Sequence, residues 1–278
     1  MSYKKILTIQ DISCVGQCSL TVALPILSAC GIETAVLPSS VLSTHTAGFS
    51  GYTFRDLTDD MPQILSHWNK EGIKFDAFYT GYVSKSQIPY ILDIMEQTAS
   101  ENALRIVDPV MADHGKMYPG FDEDFPKEMA KLCNGAYVLM PNLTEAAFLL
   151  GESYAGDNYD QEYIENLLKK LMTLGCKNVV LTGVSFEPDK LGCACYDGNK
   201  IEYYFNDRMN AQMHGTGDVF ASSFAGALCR GASILEAAGF AADFVVESMR
   251  MTLDDKDHWY GVKFEKALPW LIKRLESL

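Results

Sequence analysis

Short apolar runs typical of buried strands alternate with longer stretches of helical periodicity along most of the chain. This alternation constrains the fold more than any other feature, because parallel strands need a crossover segment and a helix is the usual one. It predicts an α/β fold in which helices cover both faces of a mostly parallel sheet. The predicted strands cover residues 6–9, 34–37, 77–79, 104–107, 136–140 and 178–182, and the predicted helices cover residues 20–29, 88–97, 218–229, 234–249 and 264–278, with a further helix starting at Thr144.

The domain organisation follows from what the chain lacks. It has no internal repeat, low-complexity segment or linker, and its 278 residues suit one large α/β domain or two small ones. Residues 193–196 and 201–204 flank the sequence Asp197-Gly198-Asn199-Lys200, which is typical of a hairpin turn. Residues 154–159 read as a surface loop rather than a boundary. We therefore predict a single domain that spans residues 1–278.

The charge balance excludes two classes of partner. The formal net charge is −13, and the sequence pI is about 4.8. Nucleic acids and anionic membranes need a basic surface, so neither is expected as a partner. An acidic protein that binds phosphate must instead use local backbone N–H groups and a metal ion.

Cysteine usage and the N-terminus predict the compartment. The eight cysteines lie among apolar residues and form no pair of Cys-x-x-Cys units, so a zinc site is not expected. Cys14 and Cys18 have helix-like spacing without a histidine nearby, and we interpret both as ordinary thiols. The N-terminus leads directly into the first strand, and no apolar run approaches the ~18 residues that would span a bilayer. We therefore expect no membrane association and a reduced, cytoplasmic protein.

The sequence His214-Gly215-Thr216-Gly217-Asp218 stands where a small-residue helix begins. A helix N-terminus presents unpaired N–H groups and the positive end of the dipole, and glycines allow close approach to a phosphate. We predict that Gly215, Thr216 and Gly217 form an anion hole and that Asp218 accepts a proton from an attacking hydroxyl. The alternative is an ordinary helix cap made by Thr216 or Asp218.

Polar residues recur where the predicted strands end, namely Asp11, Asp108, Asn142 and Thr182. Ligands of open parallel sheets bind at the carboxyl ends of the strands, so these side chains point to one crevice. Asp108, Asn142 and Glu145 offer oxygen ligands for Mg²⁺, directly or through water. The structural alternatives are a turn residue at Asp108, an N-cap at Asn142 and a first-turn acidic residue at Glu145.

Taken in order, these motifs resemble the pyridoxal kinase group of the ribokinase-like superfamily over nearly the whole chain. The matching segments are Thr8-Ile9-Gln10, Leu42-Ser43-Thr44-His45-Thr46-Ala47-Gly48-Phe49, Thr80-Gly81-Tyr82, Asp108-Pro109-Val110-Met111-Ala112-Asp113, Pro141-Asn142-Leu143-Thr144-Glu145-Ala146, Leu181-Thr182-Gly183 and Gly215-Thr216-Gly217-Asp218. The resemblance implies a three-layer α/β/α fold with a central, mostly parallel sheet, and a homodimer. It also implies ATP-dependent phosphorylation of pyridoxal, pyridoxine and pyridoxamine in vitamin B6 salvage.

The resemblance assigns residues to the two substrates. Asp218 would deprotonate the 5′-hydroxymethyl group of pyridoxal, which attacks the γ-phosphate of Mg-ATP. Thr46 would contact the ring substituents, and Tyr82 would lie against the ring face. Asp11 stands where the family usually has a serine that reaches the pyridine nitrogen, and a carboxylate there favours a protonated ring nitrogen or a different donor.

The ATP side is implied in the same way. Residues 114–118 match a lid that excludes water, with Tyr118 as the lid tyrosine. Residues 260–262 match a late segment near the adenine. The ATP-binding residues implied are Asp108, Asp113, Tyr118, Asn142, Thr182, Gly183 and Val262, with Asp108 and Glu145 on Mg²⁺. Some family members also bind a monovalent cation, but Met140 stands where some of those relatives have threonine.

Several alternatives stay open at this stage. The substrate could be hydroxymethylpyrimidine, a small nitrogen heterocycle with a hydroxymethyl group, and the chain could be a B6-binding protein without activity. A sugar fits less well, because Tyr82 and Phe49 suit a flat ring. Tyr82 could also be a core aromatic residue, and Lys116 could be a solvated lysine or a mobile cation near phosphates. We interpret His45 as ordering its loop and His214 as structural.

Overall fold

The fold is described from a computed structural model, which describes residues 3–276. Its strands are β1 (Lys5–Ser13), β2 (Glu33–Leu42), β3 (Phe54–Asp56), β4 (Phe75–Thr80), β5 (Ala99–Val107), β6 (Ala112–Asp113), β7 (Lys116–Met117), β8 (Val138–Leu139), β9 (Val179–Val184), β10 (Lys190–Tyr196) and β11 (Ile201–Asp207). Its helices are α1 (Leu20–Ala29), α2 (Met61–Lys70), α3 (Ile88–Thr98), α4 (Phe125–Cys133), α5 (Leu143–Leu150), α6 (Gln161–Met172), α7 (Thr216–Cys229), α8 (Ile234–Arg250) and α9 (Phe264–Leu275).

Nine strands form one sheet in the order β11-β10-β9-β8-β5-β4-β1-β2-β3. The six strands from β9 to β2 run parallel, and β3, β10 and β11 add antiparallel pairs at the edges. The carboxyl ends of the six parallel strands therefore lie along the same edge of the sheet. We call it the carboxyl edge.

Neighbouring residues of each parallel strand face opposite cores. Ile6 and Tyr79 pack in the core that contains α1, α7, α8 and α9, whereas Leu7 and Phe78 pack in the core that contains α3, α4 and α6. Because both faces of the sheet are covered, apolar residues occupy consecutive positions in the central strands instead of alternating with polar residues. This arrangement confirms the predicted three-layer α/β/α architecture.

The structure corrects some predicted boundaries. Strand β1 continues to Ser13, so Asp11 lies inside the strand and not after it. The pairing with β4 stops at Ile9 and Thr80, and beyond that point β1 pairs with β2 alone across an irregularity in register. Asp11 therefore lies in a part of β1 that extends beyond the end of β4. Helix α7 begins at Thr216, two residues before the predicted start.

Three helices, α2, α4 and α6, were not predicted, although the apolar residues of α6 have plain helical spacing at Ile164, Leu167, Leu168 and Leu171. The predicted hairpin is confirmed as β10 and β11, and residues 154–159 lie in a loop. Residues 277–278 of the last predicted helix lie outside the described residues. None of the helices within residues 3–276 is long and apolar enough to cross a membrane.

Candidate active site

The N-terminus of α7 opens onto the carboxyl edge with its backbone donors free of side-chain caps. The N-cap residue is Gly215, which has a φ of 78° and makes no side-chain cap. A Cβ at this position would lie 2.1 Å from the carbonyl oxygen of Gln17, so the site requires glycine in both conformation and space. The hydroxyl of Thr216 donates to the carbonyl of Met213 at 3.4 Å. The alternative of an ordinary cap by Thr216 or Asp218 is therefore wrong.

Asp218 lies in the first turn of α7 and is half-buried. Burial raises the pKa of its carboxyl group to about 7, and the negative charge of Asp11 adds to the rise. Hydrogen bonds from the backbone N–H of Ser19 and from the thiol of Cys18 lower the same pKa. A carboxylate with these neighbours exchanges a proton near neutral pH.

Asp11 lies near Asp218, and Tyr82 lies near Asp11. Asp11 is buried and accepts a hydrogen bond from the hydroxyl of Ser13 at 2.9 Å, while burial raises the pKa of its carboxyl group. Burial, followed by the charge of Asp11, raises the pKa of Tyr82 to about 12. The ring of Tyr82 is half-buried and lies 5.1 Å from the ring of Phe121 between centroids. Tyr82 is thus not part of the closed core.

Thr46 lies in the loop that follows β2 and is half-buried. The loop is held by the buried imidazole of His45, whose Nδ1 accepts from the N–H of Ala47 at 3.2 Å. The Nε2 atom must then carry the proton, which it donates to the carbonyl oxygen of Tyr260 at 2.8 Å. Burial lowers the pKa of His45, so its ring is neutral near pH 7. These contacts agree with the interpretation that His45 orders its loop.

Two further carboxyl groups, Asp108 and Glu145, are buried close to each other, and Asp108 also lies near Asp218. Burial raises the pKa of Asp108 well above its usual range, and the charges of Glu145 and Asp218 raise it further. Burial also raises the pKa of Glu145 to about 8. Within residues 3–276, neither carboxyl group pairs with a lysine or an arginine. Two acidic oxygen donors that lack a cation fit the ligand preference of Mg²⁺.

The described residues hold no group of three or more histidine, cysteine or acidic side chains arranged for a metal. A cation at Asp108 and Glu145 would therefore complete its shell with phosphate oxygens and water, as Mg²⁺ at phosphate sites usually does.

Asn142 and Glu145 form a capping box at the start of α5. The Oδ1 atom of Asn142 accepts from the N–H groups of Thr144 and Glu145 at 2.8 and 2.9 Å, and Glu145 Oε2 accepts from the N–H of Asn142 at 2.9 Å. The Nδ2 atom of Asn142 donates to the carbonyl of Ala112 at 2.8 Å. The N-cap alternative is thus confirmed for Asn142, because both polar atoms of its side chain are engaged within the protein.

A short hairpin follows Asp108 and covers the carboxyl groups. Strands β6 and β7 pair across a turn in which His114 and Gly115 have φ values of 49° and 74°. Asp113 is exposed, and its carboxylate accepts from the N–H of His114 at 2.8 Å. The N–H of Gly115 donates to the hydroxyl of Thr144 at 3.0 Å, which anchors the tip of the hairpin to α5.

Tyr118 ends this hairpin and is half-buried beside the carboxyl groups. Its N–H donates to the carbonyl of Met111 at 2.8 Å. Burial raises its pKa well above the usual range, and the charges of Glu145, Asp113 and Asp218 contribute in that order. The predicted lid residue therefore lies against the acidic cluster, whereas Lys116 is exposed.

The remaining residues predicted to bind ATP lie in different parts of the structure. Thr182 is bridged to Asn142 at the carboxyl edge, and its N–H donates to the carbonyl of Pro141 at 2.9 Å. Gly183 is exposed, and nothing lies within 4 Å of a Cβ built on it. Val262 is fully buried in the core beside α8 and α9. The structure thus brings Thr182 and Gly183 to this edge but does not bring the side chain of Val262 there.

Sequence reasoning missed Cys18 and Ser19. Both lie in the turn between β1 and α1, and both contact Asp218 through the hydrogen bonds described above. Interpreting Cys18 as an ordinary thiol was therefore incomplete. The signal available was their position directly after the first strand, where a parallel sheet gathers its ligand-binding residues.

Comparisons with known proteins identify a family and several similar structures. The model of the phosphomethylpyrimidine kinase family matches residues 31–262. A Bacteroides thetaiotaomicron protein provisionally described as a phosphomethylpyrimidine kinase, and solved with pyridoxal, is 36% identical with a TM-score of 0.91, covering 99% of this chain and 96% of its own. The pyridoxal kinase from Lactobacillus plantarum is 34% identical with a TM-score of 0.90, covering 99% of both chains.

A curated relative is more distant. The pyridoxine kinase of Bacillus subtilis is 27% identical over 190 residues, which cover 65% of this chain and 66% of that enzyme. The match therefore spans slightly less than two thirds of the relative.

Proposed function

Because the chain belongs to the phosphomethylpyrimidine kinase family, we propose that it transfers the γ-phosphoryl group of ATP to the 5′-hydroxymethyl group of pyridoxal, as a pyridoxal kinase of vitamin B6 salvage. The family membership agrees with the resemblance of its motifs to the pyridoxal kinase group. The chain is therefore a kinase of the pyridoxal and hydroxymethylpyrimidine type. The identity of the acceptor is the part that we propose.

The observation that carries the proposal is the position of Asp218 in the first turn of a helix without a side-chain cap, near the buried carboxyl groups of Asp11 and Asp108. Its pKa of about 7 suits a general base, which works best when its pKa is near the operating pH. Asp218 would accept the proton of the hydroxymethyl group as that oxygen attacks the phosphorus. The N–H groups of Gly215, Thr216 and Gly217 would receive the transferring phosphoryl oxygens.

Asp108 and Glu145 would hold Mg²⁺ on the phosphate side. The ion supplies charge neutralisation on the phosphate oxygens during transfer. The contribution of the chain is two buried carboxyl groups whose pKa values are raised by burial and, at Asp108, also by the charges of Glu145 and Asp218. We expect excess chelator to abolish turnover, and undiminished turnover in chelator would contradict this assignment.

Asp11, Thr46 and Tyr82 would bind the pyridine ring. The half-buried Tyr82 offers a flat face, and the buried carboxyl group of Asp11 can accept a hydrogen bond from a protonated ring nitrogen. Tyr118 and the hairpin β6–β7 would close over the phosphates and exclude water, which would otherwise accept the phosphoryl group.

A second acceptor, hydroxymethylpyrimidine, is favoured by two observations. Asp11 replaces the serine usual in pyridoxal kinases, and the matching family model is described by phosphomethylpyrimidine. A carboxylate can accept from the exocyclic amine of that pyrimidine as readily as from a protonated pyridine.

Phosphoryl transfer from Mg-ATP should be measured with pyridoxal, pyridoxine, pyridoxamine and hydroxymethylpyrimidine in parallel. We expect the highest kcat/KM with a B6 vitamer. Preference for the pyrimidine would overturn the acceptor assignment and leave the kinase assignment intact. Tight binding of pyridoxal without turnover of any acceptor would indicate a B6-binding protein and overturn both.

A further inference from the structure

The turn between β1 and α1, residues 16–19, has features that the fold does not require. Ser19 has φ 57° and ψ −130°, a conformation that costs a non-glycine residue about 1–3 kcal/mol. It is the N-cap of α1, yet its side chain makes no capping hydrogen bond. A serine at an N-cap normally uses its hydroxyl for the cap. The strained backbone and the missing cap together indicate that Ser19 has a role other than capping α1.

The hydroxyl of Ser19 is directed to the site. It hydrogen-bonds the carboxylate of Asp11, and the residue is only 7% exposed. The backbone N–H of the same residue hydrogen-bonds Asp218. One strained serine thus connects the carboxylate proposed to bind the acceptor with the carboxylate proposed to remove its proton.

The turn is also packed against the anion hole. The carbonyl oxygen of Gln17 occupies the space where a Cβ of Gly215 would lie, and the sulfur of Cys18 is 3.9 Å from that same point. The hydroxyl of Thr21 donates to the carbonyl oxygen of Cys18 at 2.8 Å, which fixes the backbone. The thiol of Cys18 also lies close to the carboxylate of Asp218.

The far side of the turn is fixed to the C-terminal region. Gln17 Nε2 donates to Glu265 Oε1 at 2.7 Å, and its Oε1 accepts from His258 Nε2 at 2.8 Å. The turn therefore has little freedom to follow Asp218 if that side chain moves. The thiol of Cys18 and the N–H of Ser19 therefore have fixed positions relative to the carboxylate of Asp218.

We infer that residues 16–19 position the catalytic base, with the thiol of Cys18 and the N–H of Ser19 orienting the carboxylate of Asp218 toward the acceptor hydroxyl. This inference rests on the proposed role of Asp218. Cys18 and Ser19 are positioning residues, since they act through Asp218 and Asp11. The pKa of the Cys18 thiol is raised well above its usual range, by burial and then by the charge of Asp218, so the sulfur keeps the proton that it donates.

Kinetics of three variants test the inference. In Cys18→Ala we expect kcat to fall about threefold to tenfold with little change in the KM for either substrate, because a donor to a charged group is lost. Cys18→Ser restores a donor and should recover most of kcat. Cys14→Ala is the matched control, since Cys14 lies in the same segment but is exposed, and its kcat should equal that of the parent protein.

Thermal unfolding of each variant separates positioning from loss of the fold. If Cys18→Ala keeps its Tm and its kcat, the inference is overturned. If Cys18→Ser is no better than Cys18→Ala while both remain folded, hydrogen-bond donation is overturned as the cause.

A second measurement does not depend on activity. The rate of alkylation of each thiol by iodoacetamide at pH 8 can be followed by peptide mass spectrometry. Removing the negative charge in Asp218→Asn should speed the reaction of Cys18 severalfold, because the thiolate becomes easier to form, and should leave Cys14 unchanged. An unchanged Cys18 rate overturns the contact. A faster rate combined with unaltered turnover in Cys18→Ala would preserve the contact and overturn its part in positioning the base. Substantial turnover in Asp218→Asn would instead overturn the role of Asp218 as the base.

Discussion

Helices α5 and α7 both begin at the carboxyl edge, and both carry an acidic residue at the third helical position, Glu145 in α5 and Asp218 in α7. In α5, Glu145 turns back to the N–H of Asn142, and Asn142 caps two further N–H groups. In α7, the N-cap is Gly215 without a side chain, and Asp218 bonds to a separate segment at Ser19.

The two termini therefore use the same chemistry for different purposes. The capping box of α5 satisfies its backbone donors within the helix, so that terminus holds the fold together. The first turn of α7 leaves its donors without side-chain partners and keeps its carboxylate near neutral pKa, which suits an incoming anion and a proton. An acidic residue in a first turn is thus informative only together with the residue at the N-cap.

The largest expected effect comes from removing the carboxylate at α7. Asp218→Asn should lower kcat by about 10³-fold or more, within the upper range for loss of a general base, while binding of pyridoxal persists. Turnover gives kcat, and calorimetry gives the affinity. Retention of a tenth of the parent kcat would show that α7 resembles α5 in being structural.

The next effect tests whether the open N-cap is required. Gly215→Ala combines a positive φ with a Cβ placed against the carbonyl of Gln17, so we expect α7 to shift and kcat to fall about 10²-fold. Gly151→Ala is the matched control, because Gly151 ends α5 with a φ of 66° and has nothing within 4 Å of a Cβ. It should cost about 1 kcal/mol of stability and leave kcat unchanged. Equal kcat in the two variants would contradict the comparison.

The pH dependence of stability should reveal the raised pKa of Glu145, the buried carboxyl group of α5. The pKa of Glu145 is raised from 4.5 to about 8, so between these values the folded state binds a proton that the unfolded state has lost. Stability is therefore lost as pH rises through this window. We expect the Tm of the metal-free protein to fall by several degrees between pH 5 and 8, less so in Glu145→Gln. A Tm that rises over this range in the parent protein only would refute the raised pKa.

The smallest effect is expected from the cap of α5. Asn142→Ala should lower the free energy of unfolding by about 1–2 kcal/mol while the KM for ATP stays close to the parent value. Asp160→Ala is the control, because Asp160 caps α6 at an exposed position through the N–H of Tyr163. Denaturant unfolding and steady-state kinetics check both. A large rise in the KM for ATP in Asn142→Ala alone would show that Asn142 binds nucleotide after all.

Much of the site could be predicted because its parts follow strands. Asp108, Asn142 and Thr182 come directly after or at the end of parallel strands, and the topology of such a sheet brings those points to one edge. The glycines around Thr216 indicated an anion site for a local reason, which is the backbone freedom that they give. These signals are short in range and can be read along the chain.

The sequence alone is therefore enough to predict the α/β class, the edge where the polar residues gather and the segment that we propose faces a phosphate. Which of those residues keep free polar atoms depends on the packing of the folded chain. The tertiary structure engaged the oxygen of the Asn142 side chain in the cap of α5 and its nitrogen at the carbonyl of Ala112, and it buried Val262 in the core. It also brought Cys18 and Ser19 to Asp218 across about 200 positions of sequence. Local periodicity fixes which elements form, whereas hydrogen-bond partners and burial depend on which distant elements pack together, and no local pattern encodes that.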